Sequence, residues 1–518
     1  MDRLLRSIKF LFIFGIFLSF ENQFNVSGAK ILAIFQDPSY SHELTFHKIL
    51  KALADRGHHL TIFGAHTFDY QNNPNVTQHV FKDSVENYKK NFNVTYVEQT
   101  KTTWMRLLLQ YEVQTFYELT RTQIGHPEMQ KIIKNHDKKY KFDVIIMEYY
   151  FYNLALLAEI YDCPIIAFAA SEPAIANHGL MGNDVNPAIY SDATRFPYLH
   201  GQLSFSERVS SVAYYFTYYA IFVGIVYKYY VNQIASEYPI NGTTKDPLDV
   251  LNDRLALLVA NTSPEFGHVR ALSPYTIQIG FFHVEDPKEL TNFEVKEYLD
   301  ASINGVIVMS FGSKIKTADL GIKNVEKFLK AFNQTSYDIL WKFDEIIDPE
   351  KVPKNVKLTN WMPLSDVLAH PNVKIIIHHG GLLTSYEAIV REVPQIIFPL
   401  VYDEGANAKL LVKKGVAMEL NINTFEETML TGAIDKVVSS DFRENIRVLR
   451  YNVNDQIIDR KELAVFHIEK VIRHKNEKIY KFKLNPFASF FHRHLLDIFT
   501  STAVVIGTVY FIVKNIRK

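Results

Sequence analysis

The chain has 518 residues, room for about two or three domains, and carries 56 basic against 56 acidic residues. With no charge excess it has no electrostatic footprint for nucleic acid, which is excluded as a partner. Its 38 Phe and 29 Tyr suit flat apolar ligands, and equally large cores and a membrane-facing surface, while a lone Cys163 excludes an intramolecular disulfide.

Residues 1–29 read as a signal peptide: Arg3, Arg6 and Lys9 precede the apolar run Phe10 to Phe20, and Ser27-Gly28-Ala29 offers small residues for cleavage before Lys30. Acceptor sequons at Asn75, Asn93, Asn241, Asn261 and Asn333 support secretory routing, with some expected to go unused. From Lys30 a strand, ILAIF, runs into a loop with Pro38. A helix follows with Phe46, Ile49, Leu50 and Leu53 on one face; Gly57 stops it, and LTIF resumes as a strand. This is a βαβ unit, whose first loop lies where open parallel sheets place their ligands. FDVIIME at 142–148 and PIIAFAA at 164–170 read as further strands of the same sheet. The run from Ser211 to Tyr230 holds nine aromatic residues, compatible with a membrane-contacting element, a wall of a ligand pocket or a plain core helix.

Polar HVEDPKELTN marks a linker near 283–300. A second strand series then starts at Gly305 with VIVMSF and continues through YDILWKF, VKLTNW, VKIIIHH and QIIFPL. Near the end, Ile498 to Val513 is apolar, and a basic tail with Lys514, Arg517 and Lys518 follows. Sixteen residues rise only about 24 Å, so a bilayer span needs Leu495 and Leu496 as well. We expect a transmembrane helix over 495–513 and a cytoplasmic tail over 514–518, the single-pass orientation that a basic flank implies.

The stretch from His378 to Asn407 is the richest in chemistry. A strand ends in His379, a Gly380-Gly381 turn opens a short helix carrying Glu387, and a second strand leads to Asp403-Glu404. Glycines let backbone approach closely, and a helix N-terminus offers N–H groups and a positive dipole end to a diphosphate. A histidine there can donate to phosphate oxygen, and a carboxylate can accept from ribose hydroxyls.

Together with WMPLSDVLAHPNVKIIIHHGGLLTSYEA, PSYSHELTFHKILKALADRGH, VIVMSFGSKI at 306–315 and AVFHIEKVIRHK at 464–475, this stretch resembles the UDP-glycosyltransferases. The match is best to the membrane-anchored animal members that conjugate small lipophilic molecules. The resemblance implies an α/β fold of GT-B architecture: an acceptor-binding Rossmann-like domain over 30–283 and a UDP-sugar-binding one over 284–485, facing a cleft. It implies His42 as the base that deprotonates an acceptor hydroxyl, and a carboxylate at the end of FDVIIME to orient it. The family has Asp there; this chain has Glu148, one methylene longer. Trp361 is implied to stack on uracil and Ser313 to meet the diphosphate. His379, preferred to His378 for its spacing to Glu387, is placed with Gly381 and Glu387 on UDP. Thr384 and Ser385 bind phosphate oxygens or cap the helix. Arg270 contacts the donor side or forms a structural ion pair. Asp403 and Glu404 are implied to meet the sugar.

Departures from the family pattern are Leu364 for Gln, His378 for Thr, Val393 for Gly, and Glu404 for Gln. The expected function is inverting transfer of a hexose, with glucose the expected sugar, from a UDP-sugar to a hydroxyl of a small lipophilic acceptor. The alternative is a catalytically weak relative that sequesters lipophilic ligands. No metal and no cofactor beyond the UDP-sugar co-substrate is expected. The expected partners are donor, acceptor and membrane lipid at the C-terminal helix, and a homo-oligomer stays open. Residence in the endoplasmic reticulum membrane, domains lumenal, follows from the resemblance alone, since Ile516 interrupts a dilysine tail.

Overall fold

A computed structural model describes residues 28–91, 113–134, 140–148, 153–218, 228–239, 245–313, 315–438, 440–475 and 496–516. The signal-peptide reading, apart from residues 28 and 29, and the sequons at Asn93 and Asn241 lie outside them. The two strand series form two separate parallel sheets. The first has seven strands: β1 (Lys30–Ile34), β2 (His59–Gly64), β3 (Val76–Val80), β4 (Val144–Glu148), β5 (Ile165–Ala169), β6 (Leu255–Ala260) and β7 (Thr276–Gln278), in the order β3-β2-β1-β4-β5-β6-β7. The second has six: β8 (Val306–Ser310), β9 (Asp338–Lys342), β10 (Val356–Thr359), β11 (Val373–His378), β12 (Gln395–Ile397) and β13 (Ala417–Glu419), in the order β10-β9-β8-β11-β12-β13.

In each sheet the order reverses beside the first strand, between β1 and β4 and between β8 and β11. Such a switch point leaves a crevice beyond the carboxyl ends of the strands, because the crossover connections on either side diverge. Apolar runs such as VIIME, IIAFA and VIVMS are buried at every position, as strands covered on both faces must be.

Four helices position the site. Helix α1 (Tyr40–Asp55) follows β1 and buries Phe46, Ile49, Leu50 and Leu53, the face expected from the sequence. Helix α2 (Leu382–Val390) follows β11, and α3 (Glu404–Lys413) follows β12. Helix α4 (Arg460–Arg473) falls in the stretch expected with the second domain. It packs on the first sheet, burying Ala464, Val465, Ile468, Val471 and Ile472 among Ile31, Ala33, Leu50 and Leu53. Arg56 joins it through Glu469 at 3.1 Å and through Glu462. The physical reason is area: the α1 face of the first sheet is apolar, and α4 is the helix that covers it beside α1.

The aromatic run near 211–230 divides between helices Phe205–Thr217 and Lys228–Glu237, with 219–227 outside the described residues; Tyr214 and Tyr215 are buried. Among the described residues no helix is long and apolar enough to cross a membrane. A helix does form over Leu496–Ile516, with Ile498, Phe499, Val504, Val505, Ile506, Val509 and Phe511 all exposed. Asn261, one of the expected sequons, is buried at 2% exposure and donates to the Ala170 carbonyl at 3.0 Å, so it has no room for a glycan. Asn333 is exposed.

Candidate active site

On the first sheet, β1 and β4 lie in register from Ile31–Val144 to Ile34–Met147, so the loop after β1 and the last residue of β4 converge. His42 stands in the first turn of α1 and Glu148 closes β4. The Nδ1 of His42 lies 3.3 Å from Glu148 Oε1, and Glu148 Oε2 accepts from the backbone N–H groups of Gln36 at 3.0 Å and Asp37 at 2.7 Å. The carboxylate is thus held from the loop side and from the helix side at once. Burial raises the Glu148 pKa against the opposing hydrogen bond from His42, and the neighbouring Asp37 charge adds to the rise. The imidazole keeps 26% of its side-chain surface exposed. An imidazole that donates from Nδ1 to a carboxylate carries its lone pair at Nε2, where it can accept a proton from a bound hydroxyl.

Asp37 was missed in the sequence. Its Oδ2 lies 3.6 Å from the same His42 nitrogen, making a second carboxylate beside the ring. The available signal was its place in the loop after β1, five residues before His42.

On the second sheet, β11 ends in His378, which is fully buried, bonded through Nε2 to Gln395 Oε1 at 2.9 Å and accepting at Nδ1 from the Gly380 N–H. Burial pushes its pKa down to about 4. His379 points the other way, 14% exposed, over the start of α2. A Cβ at Gly381 would fall 2.5 Å from His379 Nε2, so glycine is what lets the ring lie against the helix N-terminus. Gly381 is the N-cap and no side chain caps the helix there, which leaves first-turn N–H groups for an anion. Thr384 and Ser385 are both buried, and the Ser385 hydroxyl donates back to the Gly381 carbonyl at 3.0 Å, a bond within the helix that caps none of its N–H groups. Ser313, in the turn after β8, and Trp361, after β10, are exposed.

Glu387 lies two turns into α2, and burial pushes its pKa up to about 7 against the charges of Lys48 and Arg391. Asp403 immediately precedes α3 and accepts from Asn407 Nδ2 at 3.0 Å. Glu404 departs from the expected sugar contact. It is buried, and its Oε2 accepts from the N–H groups of Leu400 at 2.8 Å and Val401 at 2.9 Å. The chain turns sharply before α3, and this carboxylate satisfies the amides that the turn strands. The two halves approach at this end: a Cβ on Gly405 would come within 3.1 Å of Pro197.

Arg270 is not brought to the donor loops. Its side chain, 2% exposed, lies within the first domain, where Nη1 donates to the Asp184 carbonyl at 2.7 Å, Nε lies 3.4 Å from Glu172, and the guanidinium sits 4.4 Å from the Tyr190 ring centre. It is the structural ion pair of the two readings.

The sequence profile of the UDP-glucoronosyl and UDP-glucosyl transferase family matches residues 29–518. The chain belongs to this family. As a UDP-glycosyltransferase it is 28% identical to UDP-glucosyltransferase 2 of Dactylopius coccus, covering 98% of this chain and 95% of that protein. It is 27% identical to human UDP-glucuronosyltransferase 2B7, with 92% and 90% covered. Among solved structures it is similar in fold to the calicheamicin glycosyltransferase CalG4, with a TM-score of 0.57, 15% identity, and 86% of this chain and 99% of that chain covered. It is likewise similar to the glycosyltransferase VinC, solved in complex with dTDP, at a TM-score of 0.54 and 16% identity, covering 86% and 100%. The two sheets of this UDP-glycosyltransferase are therefore those of the GT-B fold, and its donor is a UDP-sugar.

Proposed function

We propose that this enzyme transfers glucose, with inversion, from UDP-glucose to the hydroxyl of a small lipophilic acceptor. The observation that carries the reading is the contact of His42 with Glu148 at the first switch point. His42 Nε2 takes the acceptor proton as the oxygen attacks the anomeric carbon, and Glu148 orients the ring and balances the imidazolium that forms. UDP leaves from the opposite side. Its diphosphate rests on the amides opened by Gly381, with Thr384 in that first turn and His379 and Ser313 beside it. Uracil stacks on exposed Trp361, and Glu387 accepts from ribose hydroxyls. No metal is needed in this scheme, because the helix N-terminus and His379 supply the electrostatic complement to the phosphates.

Asp403 meets the sugar, and Glu404 holds the loop that presents it. Two carboxylates at this end disfavour the third negative charge that glucuronate would bring, which supports glucose as the sugar. The name of the Dactylopius coccus relative, a UDP-glucosyltransferase, points the same way. Detoxification or conjugation of lipophilic compounds is the corresponding role. Placement at the endoplasmic reticulum membrane, with the catalytic halves lumenal, is the corresponding location, and the outward apolar side chains of Leu496–Ile516 support contact with lipid there.

The experiment is a panel of phenols and steroids offered to microsomal protein with UDP-glucose, UDP-glucuronate and UDP-galactose in parallel. Transfer from UDP-glucose to at least one hydroxyl is expected. Tight acceptor binding without transfer from any donor would instead establish a sequestering protein.

A further inference from the structure

The cluster at the first switch point has the donor set of a cation site as well as that of a catalytic pair. The Nδ1 of His42 lies 3.3 Å from Glu148 Oε1 and 3.6 Å from Asp37 Oδ2, and one ligand atom from each of the three residues falls within 4.8 Å of the others. A tetrahedral zinc with bonds of about 2.0–2.2 Å sets its ligand atoms roughly 3.3–3.6 Å apart, so both contacts of the imidazole already have that spacing. The two carboxylates repel each other, and a cation between them would draw the remaining pair together. Among the described residues no other three histidine, cysteine or carboxylate side chains converge in this way.

The surroundings suit a ligand set. Glu148 engages the Gln36 and Asp37 N–H groups through Oε2, which leaves Oε1 turned toward His42. Those amides fix the carboxylate as outer-shell partners fix a metal ligand. Gln36 is held in turn: its Nε2 donates to Gln123 Oε1 at 3.1 Å, and Gln123 Nε2 donates back to the Gln36 carbonyl at 2.9 Å. The loop that carries Asp37 is thereby pinned to the helix Val113–Ile124. Asp37 and Glu148 are buried, while the partly exposed imidazole leaves a way in from solvent. One imidazole with two carboxylates is a donor set that zinc accepts, with a fourth position left open.

We propose that His42 Nδ1, Asp37 Oδ2 and Glu148 Oε1 form a zinc-binding site, and that the bound cation switches transfer off. The switch rests on the reading of His42 as the base. In the active ring the proton sits on Nδ1, facing the carboxylates, and the lone pair sits on Nε2. Zinc takes a lone pair at Nδ1, so the single proton of the neutral ring passes through water to Nε2, and none is gained or lost. A ring protonated at Nε2 can donate to an acceptor hydroxyl but cannot take its proton. The donor loops lie on the other sheet and share none of these residues.

The test titrates zinc chloride into the full chain against a chromophoric chelator at neutral pH, and measures transfer at the same zinc concentrations. The parent should bind zinc at this cluster and lose transfer by about a hundredfold or more at saturation, the loss expected when a general base is removed. Chelation by EDTA should restore the rate. Asp37→Asn and His42→Ala should each weaken zinc about a hundredfold or more, and parent-like UDP affinity, measured without zinc, reports that each variant is folded. At the concentration that silences the parent, zinc should slow Asp37→Asn less than about twofold against its own zinc-free rate. No zinc bound, or binding that both substitutions leave intact, overturns the site and leaves the role of His42 standing. Zinc bound at this cluster with transfer undiminished overturns the switch, and with it the base at Nε2.

Discussion

Glu404 approaches His379 to 3.9 Å with one carboxylate oxygen while the other accepts two backbone N–H groups of the loop before it. A residue whose sequence position suggests sugar recognition is thus engaged in holding together the turn between β12 and α3. Glu404→Gln keeps one accepting oxygen and loses the charge. It should cost about 1–2 kcal/mol, read as a lower unfolding temperature, with the preference for glucose over glucuronate narrowed only a few-fold. Asp403→Asn should narrow that preference further at a smaller cost in stability. A reversed preference in Glu404→Gln would mean that its carboxylate faces the sugar after all.

His42→Ala should bind UDP almost as well as the parent and lose transfer by about a hundredfold or more, because a general base acts at the chemical step alone. Near-normal turnover would remove His42 from that role. Glu148→Gln should lower turnover less, and its pH–rate profile should shift, since an amide orients the ring without balancing its charge. An unchanged profile would pass the orienting role to Asp37, 3.6 Å from the same nitrogen.

Arg270 offers a clean separation of structure from donor binding. Burial pushes the Glu172 pKa up, but the hydrogen bond from His178 and the charges of His178 and Arg270 outweigh it, so Glu172 sits well below the usual carboxylate range. A carboxylate lowered in this way stabilises the fold above its unfolded pKa, and that contribution fades as pH falls through the folded value. Arg270→Met strands the charge and should destabilise the fold by about 3–5 kcal/mol at neutral pH, with a smaller penalty in acid. The folded fraction should bind UDP like the parent; a selective loss of UDP affinity without destabilisation would return Arg270 to the donor site.

Glycan mapping by mass spectrometry, on protein made through the secretory pathway, should find Asn261 unmodified and Asn333 available. Asn261 holds the Ala170 carbonyl inside the fold. Occupancy at Asn261 would require modification before that region closes and would contradict its burial.

Much of the architecture was legible because it rests on local pattern. The ILAIF and LTIF strands, the Phe46, Ile49, Leu50, Leu53 face and the second series from Gly305 all follow from apolar periodicity and glycine stops. The contrast between His378 and His379 was legible too, because alternate strand residues face opposite ways. What the sequence concealed depends on distant partners. Periodicity makes Arg460–Arg473 a helix but carries no address for the sheet it covers. Arg270 and Glu404 are polar residues in promising positions, and only the folded chain shows Arg270 enclosed with Glu172 and Glu404 turned toward Leu400 and Val401. Asp37 lay among other polar residues of its loop, and its approach to His42 emerges only when β1 and β4 pair.

Because α4 returns to the first sheet, the backbone passes between the halves twice, once at the linker and once before Arg460. Two crossings make a pivot with a defined axis, where one would make a tether. Neither half is then an independent fragment. Cutting the chain at the linker would strip the first sheet of a cover contributed by Arg460–Arg473, far beyond the last strand of that sheet, Thr276–Gln278. Expression of the halves as separate pieces should yield material that becomes soluble only when both are present, with the 460–473 segment supplied by the partner fragment as the seam between them.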